Sequence, residues 1–375
     1  MSFNIIYYRN FSEDTLPTLT IELIGYFSKD GNSQYHADLS QLKYYIPPSN
    51  PNNVCYDLDK NVTSTHHKSA FHCKLNDILR WVSDNFYRLE KPFSVYEHRW
   101  LNVDFICRRG LLKRLLCSPY KRSDGWIICA SKYRGTIYLC EYYTDEKEAQ
   151  YVNATTADKQ VTSRGFKFEQ YMVADHPSHV PDSSLPLNEC EEFHCIFKAN
   201  FGDHSLLYGA EMDGIFSKEP ITDTLIGKTI EFVELKTFPM FNENGDIRGT
   251  ISSQCASAWW SQNYLANISK LICGLKDKSG TVRMIREYPT NVLPTFPTKP
   301  YNVDKCKMFC KLFLDNVKRI VTQDHDKCMY KFHWNSSTRN IISYNEEAPD
   351  NETYFFLKSW FISKAEEYRN ASQNI

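Results

Sequence analysis

The chain has 375 residues, of which 42% are hydrophobic and 14% aromatic, enough apolar material for a sizeable core and too much for a disordered chain. Its formal net charge is −1, so no global field attracts nucleic acid and any such binding must use a local cationic patch. The thirteen cysteines form no Cys-x-x-Cys pair and lack histidines at zinc-ligand spacing. With no signal-like start and no run of about 18 apolar residues, the cysteines are read as reduced and mostly buried, in a nuclear or cytosolic protein without a membrane span.

In chain order, residues 20–28 predict a strand with Gly25 as a bulge, and 42–48 an extended segment ending at a double proline. A polar loop at 60–68 carries His66 and His67, read as exposed loop residues. Residues 74–89 place Leu75, Ile78, Leu79, Val82, Phe86 and Leu89 at helical spacing. A second helix is predicted over 104–116, with leucines 111, 112, 115 and 116 as its buried side. Six basic residues and no acid fall between Arg108 and Arg122, and Arg109 and Lys113 share one helix face. Strands at 126–133 and 136–143 flank a two-residue turn, Arg134-Gly135. Residues 144–159 read as a charged surface loop, 165–174 as a helix, and 177–186 as a loop. Strands follow at 190–201 and 206–216, then a strand carrying Glu234. A loop at 238–251 leads to a helix at 252–265 containing Trp259, Trp260 and Gln262, with the tryptophans assigned to the core. A hairpin (271–275 and 281–287), a proline-rich segment (289–300), an amphipathic helix at 304–324, strands at 328–334 and 340–344, and a helix at 353–368 complete the chain. Strands and helices mix without strict alternation, so the expected class is α+β, with mixed sheets packed against helices.

The chemistry concentrates between Gly209 and Phe238. Glu211 and Asp213 stand two apart, as do Glu234 and Lys236, each pair flanked by apolar residues. Residues i and i+2 of a strand share a face, so three carboxylates and one ammonium can converge near a core. Carboxylates that close cannot all ionise without a cation, and a hard divalent ion bound through oxygens is the simplest partner. An acid, a spacer of about twenty residues, then Glu-x-Lys is the pattern of PD-(D/E)xK nucleases.

Six motifs in order give a closer resemblance: L-K-Y-Y-I-P-P with C-Y-D-L-D, R-R-G-L-L-K-R-L-L-C-S-P-Y, G-F-K-F-E-Q-Y, G-A-E-M-D-G, E-L-K-T and W-W-S-Q, spanning about Leu42 to Gln262. The chain resembles the DXO family of decapping exoribonucleases, whose core is similar to PD-(D/E)xK nucleases. The resemblance implies a single domain over 1–375, with a catalytic core at about 100–290 and a C-terminal helix and strands (300–375) packed on it. It implies Glu169, Glu211, Asp213, Glu234 and the Leu235 carbonyl as contacts to Mg²⁺ or Mn²⁺, two ions in all. It puts Lys236, Arg109 and Gln262 on the substrate phosphate, with Glu211, Asp213, Glu234, Lys236 and Gln262 as the catalytic set. The tryptophan that precedes the arginine in the family is Arg108 here, and the segment past Pro300 matches poorly.

The implied activity is hydrolysis at RNA 5′ ends: a triphosphate removed as pyrophosphate, an unmethylated cap or an NAD cap removed, and the RNA then degraded 5′→3′. Single-stranded RNA 5′ ends are the expected substrate, a 5′–3′ exoribonuclease the expected protein partner, and the nucleus the favoured compartment. The competing readings are a silent RNA-end-binding protein or exoribonuclease activator, and a DNA endonuclease of the wider superfamily.

Overall fold

The computed structural model describes residues 1–5, 16–68, 74–91, 99–121, 125–240, 247, 250–338 and 340–373. Its strands form two sheets, one of ten strands and one of seven, with helices packed on both. In the larger sheet, Phe105–Arg108 lies parallel to His204–Glu211 on one side and to Thr136–Tyr142 on the other. In the smaller, Glu231–Pro239 pairs antiparallel with Gly214–Phe216 and parallel with Lys270–Lys276. Among the described residues no helix is long and apolar enough to cross a membrane.

Most predicted elements are present with ends shifted by a few residues. The Arg134-Gly135 turn has positive φ at both positions (48° and 79°), the geometry whose twist suits a two-residue hairpin. Leu19–Lys29 changes register beside Gly25, where Trp81 packs so closely that a Cβ would lie 2.2 Å from its ring. Trp259 and Trp260 are core residues, the first edge-on to Phe238 and the second stacked on Tyr264. Cys55 and Cys255 apart, the described cysteines are all buried, and every one is a free thiol. The C-terminal helix Val303–Ile320 adds Phe309, Phe313 and Val317 to the main core, and Met329–Trp334 and Ile341–Glu347 extend the ten-stranded sheet. The last helix starts at Ser359, six residues later than the spacing predicts.

Three corrections bear on function. Residues 104–116 are not one helix: Phe105, Ile106 and Cys107 are fully buried in a central parallel strand, and the helix is Arg109–Cys117. A strand covered on both faces reads as a continuous apolar run, so its start is indistinguishable from buried helix by periodicity. Residues 144–159 are not a loop but a helix, Asp145–Val152, and the first turn of a second, Thr156–Met172. Thr144 and Thr155 cap them, Thr155 through a reciprocal box with Asp158, a start signal that outweighs the polar composition. The predicted helix at 165–174 is the C-terminal half of Thr156–Met172, and its last two residues pair as a short strand.

The third correction concerns 206–216, which is not one strand. His204–Glu211 belongs to the larger sheet and Gly214–Phe216 to the smaller, so the chain crosses between sheets at Met212 and Asp213.

Candidate active site

The crossing at Met212 brings the two sheets' acids together. Glu234 is fully buried, on the strand beside Gly214–Phe216. Its Oε1 accepts from the Lys236 ammonium and from the Gln262 amide, and its Oε2 lies 3.8 Å from Arg109 Nη1. Asp213 Oδ2 accepts from the Leu235 amide at 2.7 Å and stands 3.9 Å from Lys236 Nζ. The Leu235 carbonyl accepts from Lys236 Nζ at 3.0 Å.

Arg109 reaches the same point from the other sheet. It opens the helix that follows Phe105–Arg108, and because that strand runs parallel to His204–Glu211, both end at one edge. Its buried guanidinium donates to the Glu211 carbonyl at 2.7 Å. Gln262 comes from Ser253–Tyr264, which packs on the Arg109 helix. Glu169 comes from Thr156–Met172, which lies across Glu231–Pro239. Gly274 permits that approach: a Cβ there would meet the Phe168 ring at 2.5 Å.

Asp213, Glu234, Lys236, Arg109, Gln262 and the Leu235 carbonyl thus share one contact network. Glu169 joins it through charge: burial and the negative charge of Asp213 push its carboxyl well above the ordinary range. Burial and Glu234 likewise push Asp213 up to about 7. Burial opposes ionisation of Glu234 too, but Lys236 and Arg109 outweigh it and hold this carboxyl below its usual value. The same acids outweigh the burial of Lys236 and keep its ammonium protonated.

Glu211 is placed differently from the expectation of one shared face. Its side chain is 41% exposed at the rim and faces Lys68 at 3.6 Å. It also groups with Glu192 and His194, whose ligand-type atoms lie within 4.8 Å of one another and of its own. His194 Nε2 is 2.8 Å from Glu192 Oε2, and burial pushes its imidazolium down to about 3, so the ring is neutral. Glu192 is fully buried between the ammoniums of Lys29 and Lys68. Partial burial of Glu211 opposes its ionisation, but Lys68 and the arginines at 108 and 109 hold its carboxyl below the usual range. Sequence reasoning missed Lys68, Glu192 and His194. The signal was Glu-x-His on a predicted strand, two residues sharing one face.

The donor set suits a hard divalent ion. Every candidate ligand in the network is an oxygen, and Glu234 Oε2 is buried without a hydrogen-bond partner. Glu169, Asp213 and Glu234 converge on Lys236 and Arg109, and the carboxyls of Glu169 and Asp213 are pushed toward the protonated form, a tension that a divalent ion would relieve. Beside this network lies a cavity of about 590 Å³ whose walls include Lys68, Lys74, Arg108, Arg109, Lys113 and Arg114, together with Tyr142, Tyr143 and Tyr354. A carboxylate-lined cation site opening onto a basic, tyrosine-walled cavity defines a metal-dependent nuclease of the PD-(D/E)xK class.

Comparison with known proteins carries the assignment to a family. The profile described as RAI1-like PD-(D/E)XK nuclease matches residues 21–362, and the chain belongs to that family. It is 30% identical over 347 residues to the decapping and exoribonuclease protein of Rattus norvegicus, spanning 90% of this chain and 83% of the relative. With the Homo sapiens protein of the same name it is 29% identical over 345 residues, 90% of this chain and 84% of that one. Among solved structures, Scheffersomyces stipitis Rai1 in complex with (3′-NADP)+ and calcium superposes with a TM-score of 0.77 at 18% identity, over 96% of this chain and all of that one. Candida albicans Rai1 in complex with pU5 and Mn²⁺ gives 0.76 at 16%, over 93% and 96%. The fold is the family's.

Proposed function

We propose that the protein hydrolyses the 5′ ends of single-stranded RNA, removing incomplete or atypical caps and then degrading the exposed chain 5′→3′. The observation that carries this is the Glu234 network: a fully buried carboxylate with one oxygen that accepts no hydrogen bond, ringed by Asp213, Lys236, Arg109 and Gln262. Glu169, Glu211, Asp213, Glu234 and the Leu235 carbonyl would hold Mg²⁺ or Mn²⁺. The bound ions would polarise the scissile phosphate and lower the pKa of the attacking water.

The chain's own groups do the rest. Lys236, a protonated point charge held by Glu234 and the Leu235 carbonyl, would stabilise charge on a phosphate oxygen entering the site. Arg109, anchored on the Glu211 carbonyl, offers its remaining N–H groups as a planar fork. Gln262 orients Glu234 and donates without adding charge. Each such donor is typically worth ~3 kcal/mol in a transition state. Asp213, protonatable near neutral pH, and ionised Glu234 differ in charge state, which suits one for releasing a proton as an ion binds and the other for holding it.

A triphosphate, an unmethylated cap and an NAD cap are all cut at a phosphoanhydride or phosphodiester, so one site serves all three as the 5′ group fills the cavity differently. We place the protein in the nucleus as the partner of a 5′–3′ exoribonuclease, and read residues 1–375 as one domain. The family resemblance supports the compartment and the single domain. The test is incubation of short RNAs bearing 5′ monophosphate, triphosphate, unmethylated cap, methylated cap or NAD with wild type and with Asp213→Ala, Glu234→Ala, in Mg²⁺ or Mn²⁺. Metal-dependent products that vanish in the double variant support the enzyme. Intact binding without turnover of any end overturns it.

A further inference from the structure

Lys113 stands one helical turn beyond Arg109 and is half-buried in the wall of the basic cavity. Its ammonium donates to Gln262 Oε1 at 2.5 Å, on the opposite side of that amide from Glu234. Other cations of the wall already have partners. Lys68 is paired with Glu192, Arg114 with Glu141 at 2.9 Å, Arg109 with Glu234, and Lys74 lies over the Tyr142 ring. Among the described residues Lys113 forms no ion pair; from beyond the amide Lys236 repels it, more strongly than Glu234 attracts it. Burial and that repulsion push its ammonium down to about 8. A half-buried cation without a direct ion pair is costly, and the cost is relieved when an anion comes into contact with it.

We propose that Lys113 is a specificity-determining residue that binds a second substrate phosphate, next to the scissile one held by Arg109 and Lys236. This rests on the 5′-end hydrolase reading. Gln262 is the divider: its Nε2 end faces the Glu234 network and its Oε1 end faces Lys113, so the two cations address different phosphates of one chain. Ends or backbones with adjacent phosphates then bind better than an isolated phosphate, which Lys113 cannot reach while Arg109 and Lys236 hold it. The site thereby selects a polyphosphorylated end or a continuing RNA chain.

The experiment measures binding of a 5′-phosphorylated pentauridine RNA in EDTA, where hydrolysis stops, as a function of salt. Wild type, Lys113→Met and Lys113→Arg are compared, with folding checked by thermal melting. Each phosphate contact on a single strand contributes about 0.7 to the slope of log affinity against log salt. Met should lower the slope by that amount and weaken binding about tenfold at low salt, and Arg should restore both. In metal, Met should raise KM on triphosphate RNA with kcat little changed. An unchanged slope overturns the proposal, as does a kcat loss without a KM change, the mark of a residue that only holds the Gln262 amide. Because the slope is read without turnover, absence of hydrolysis by the wild type would refute the enzyme reading separately.

Discussion

Glu234→Gln removes one charge at the centre of the site while keeping its shape, so its effects on stability and on activity should separate. Taking one partner from a buried ion pair typically costs about 3–5 kcal/mol, because the other charge is stranded. Here Lys236 would not be stranded. Asp213 stands 3.9 Å from it, and Glu234 is one of the groups that keep Asp213 protonated. Once Glu234 is neutral, Asp213 ionises more readily and takes over as counter-charge. The stability loss should then be about 1–2 kcal/mol, the scale of an altered buried hydrogen bond rather than an orphaned charge. Activity has no such substitute, since the lost carboxylate is both the proposed ion ligand and the anchor of Lys236 and Gln262. At least one donor's worth of transition-state stabilisation goes, ~3 kcal/mol, or about a hundredfold in kcat or more. Urea unfolding without metal and single-turnover hydrolysis of 5′-triphosphate RNA with Mn²⁺ read the two effects. A variant destabilised by 4 kcal/mol would refute the exchange of counter-charge, and one within tenfold of wild-type turnover would refute the site.

In metal-free protein, Asp213 is raised from 3.8 to about 7 and Glu169 is raised well above its usual value, so the folded state holds protons that the unfolded chain releases. That contribution is fully present below about pH 4 and is lost as pH rises through about 7, at no more than ~1.4 kcal/mol per pH unit for each group. Urea midpoints in EDTA should fall over that window, and the thermal stabilisation by Mn²⁺ should be larger at pH 8 than at pH 6. A flat profile would refute the protonated cluster. Gly274→Ala should push the Phe168 ring, and with it the Glu169 helix, off Glu231–Pro239. A loss of metal affinity of tenfold or more by calorimetry is expected, and unchanged affinity would show that the contact is slack. Lys68→Met should leave buried Glu192 with Lys29 as its cation and free Glu211 from its neighbour 3.6 Å away. Its melting temperature should drop, and metal titration should need less Mn²⁺, because a cation competing for Glu211 is gone; no change in either would make Lys68 a spectator.

The acids and their elements were legible because they are local. Glu234 and Lys236 sit two apart on a strand and touch, as alternation demands. The leucines at 111, 112, 115 and 116 are all buried, as helical spacing demands. What was not legible depends on partners distant in sequence. Phe105–Arg108 is a strand because His204–Glu211 and Thr136–Tyr142 pair with it from both sides, information that no window around residue 105 contains. Thr155 and Asp158 did carry a local signal for the long helix that presents Glu169, and polar composition masked it. Lys68 is far in sequence from Glu192 and Glu211, and only the folded sheet shows that they meet.

The crossing at Met212 explains why two acids in one tripeptide differ in character. Had 206–216 been a single strand, Glu211 and Asp213 would share a face and an environment. Instead Glu211 ends a strand of the larger sheet and turns to the rim, where Lys68 and the arginines at 108 and 109 keep it ionised. Asp213 lies in the crossing, next to the smaller sheet, where the Leu235 amide fixes one oxygen and burial and Glu234 raise its proton affinity. Environments that push neighbouring titratable groups apart are how a site assigns different tasks to chemically similar side chains. Ionised, partly exposed Glu211 suits an outer contact that a substrate can reorganise, whereas Asp213, less exposed and locked to the Glu234 strand, suits a fixed one. The break in the strand is therefore the feature that turns a row of carboxylates into a graded site, and Arg109, which reads the Glu211 carbonyl at the break, ties the cationic cavity to it.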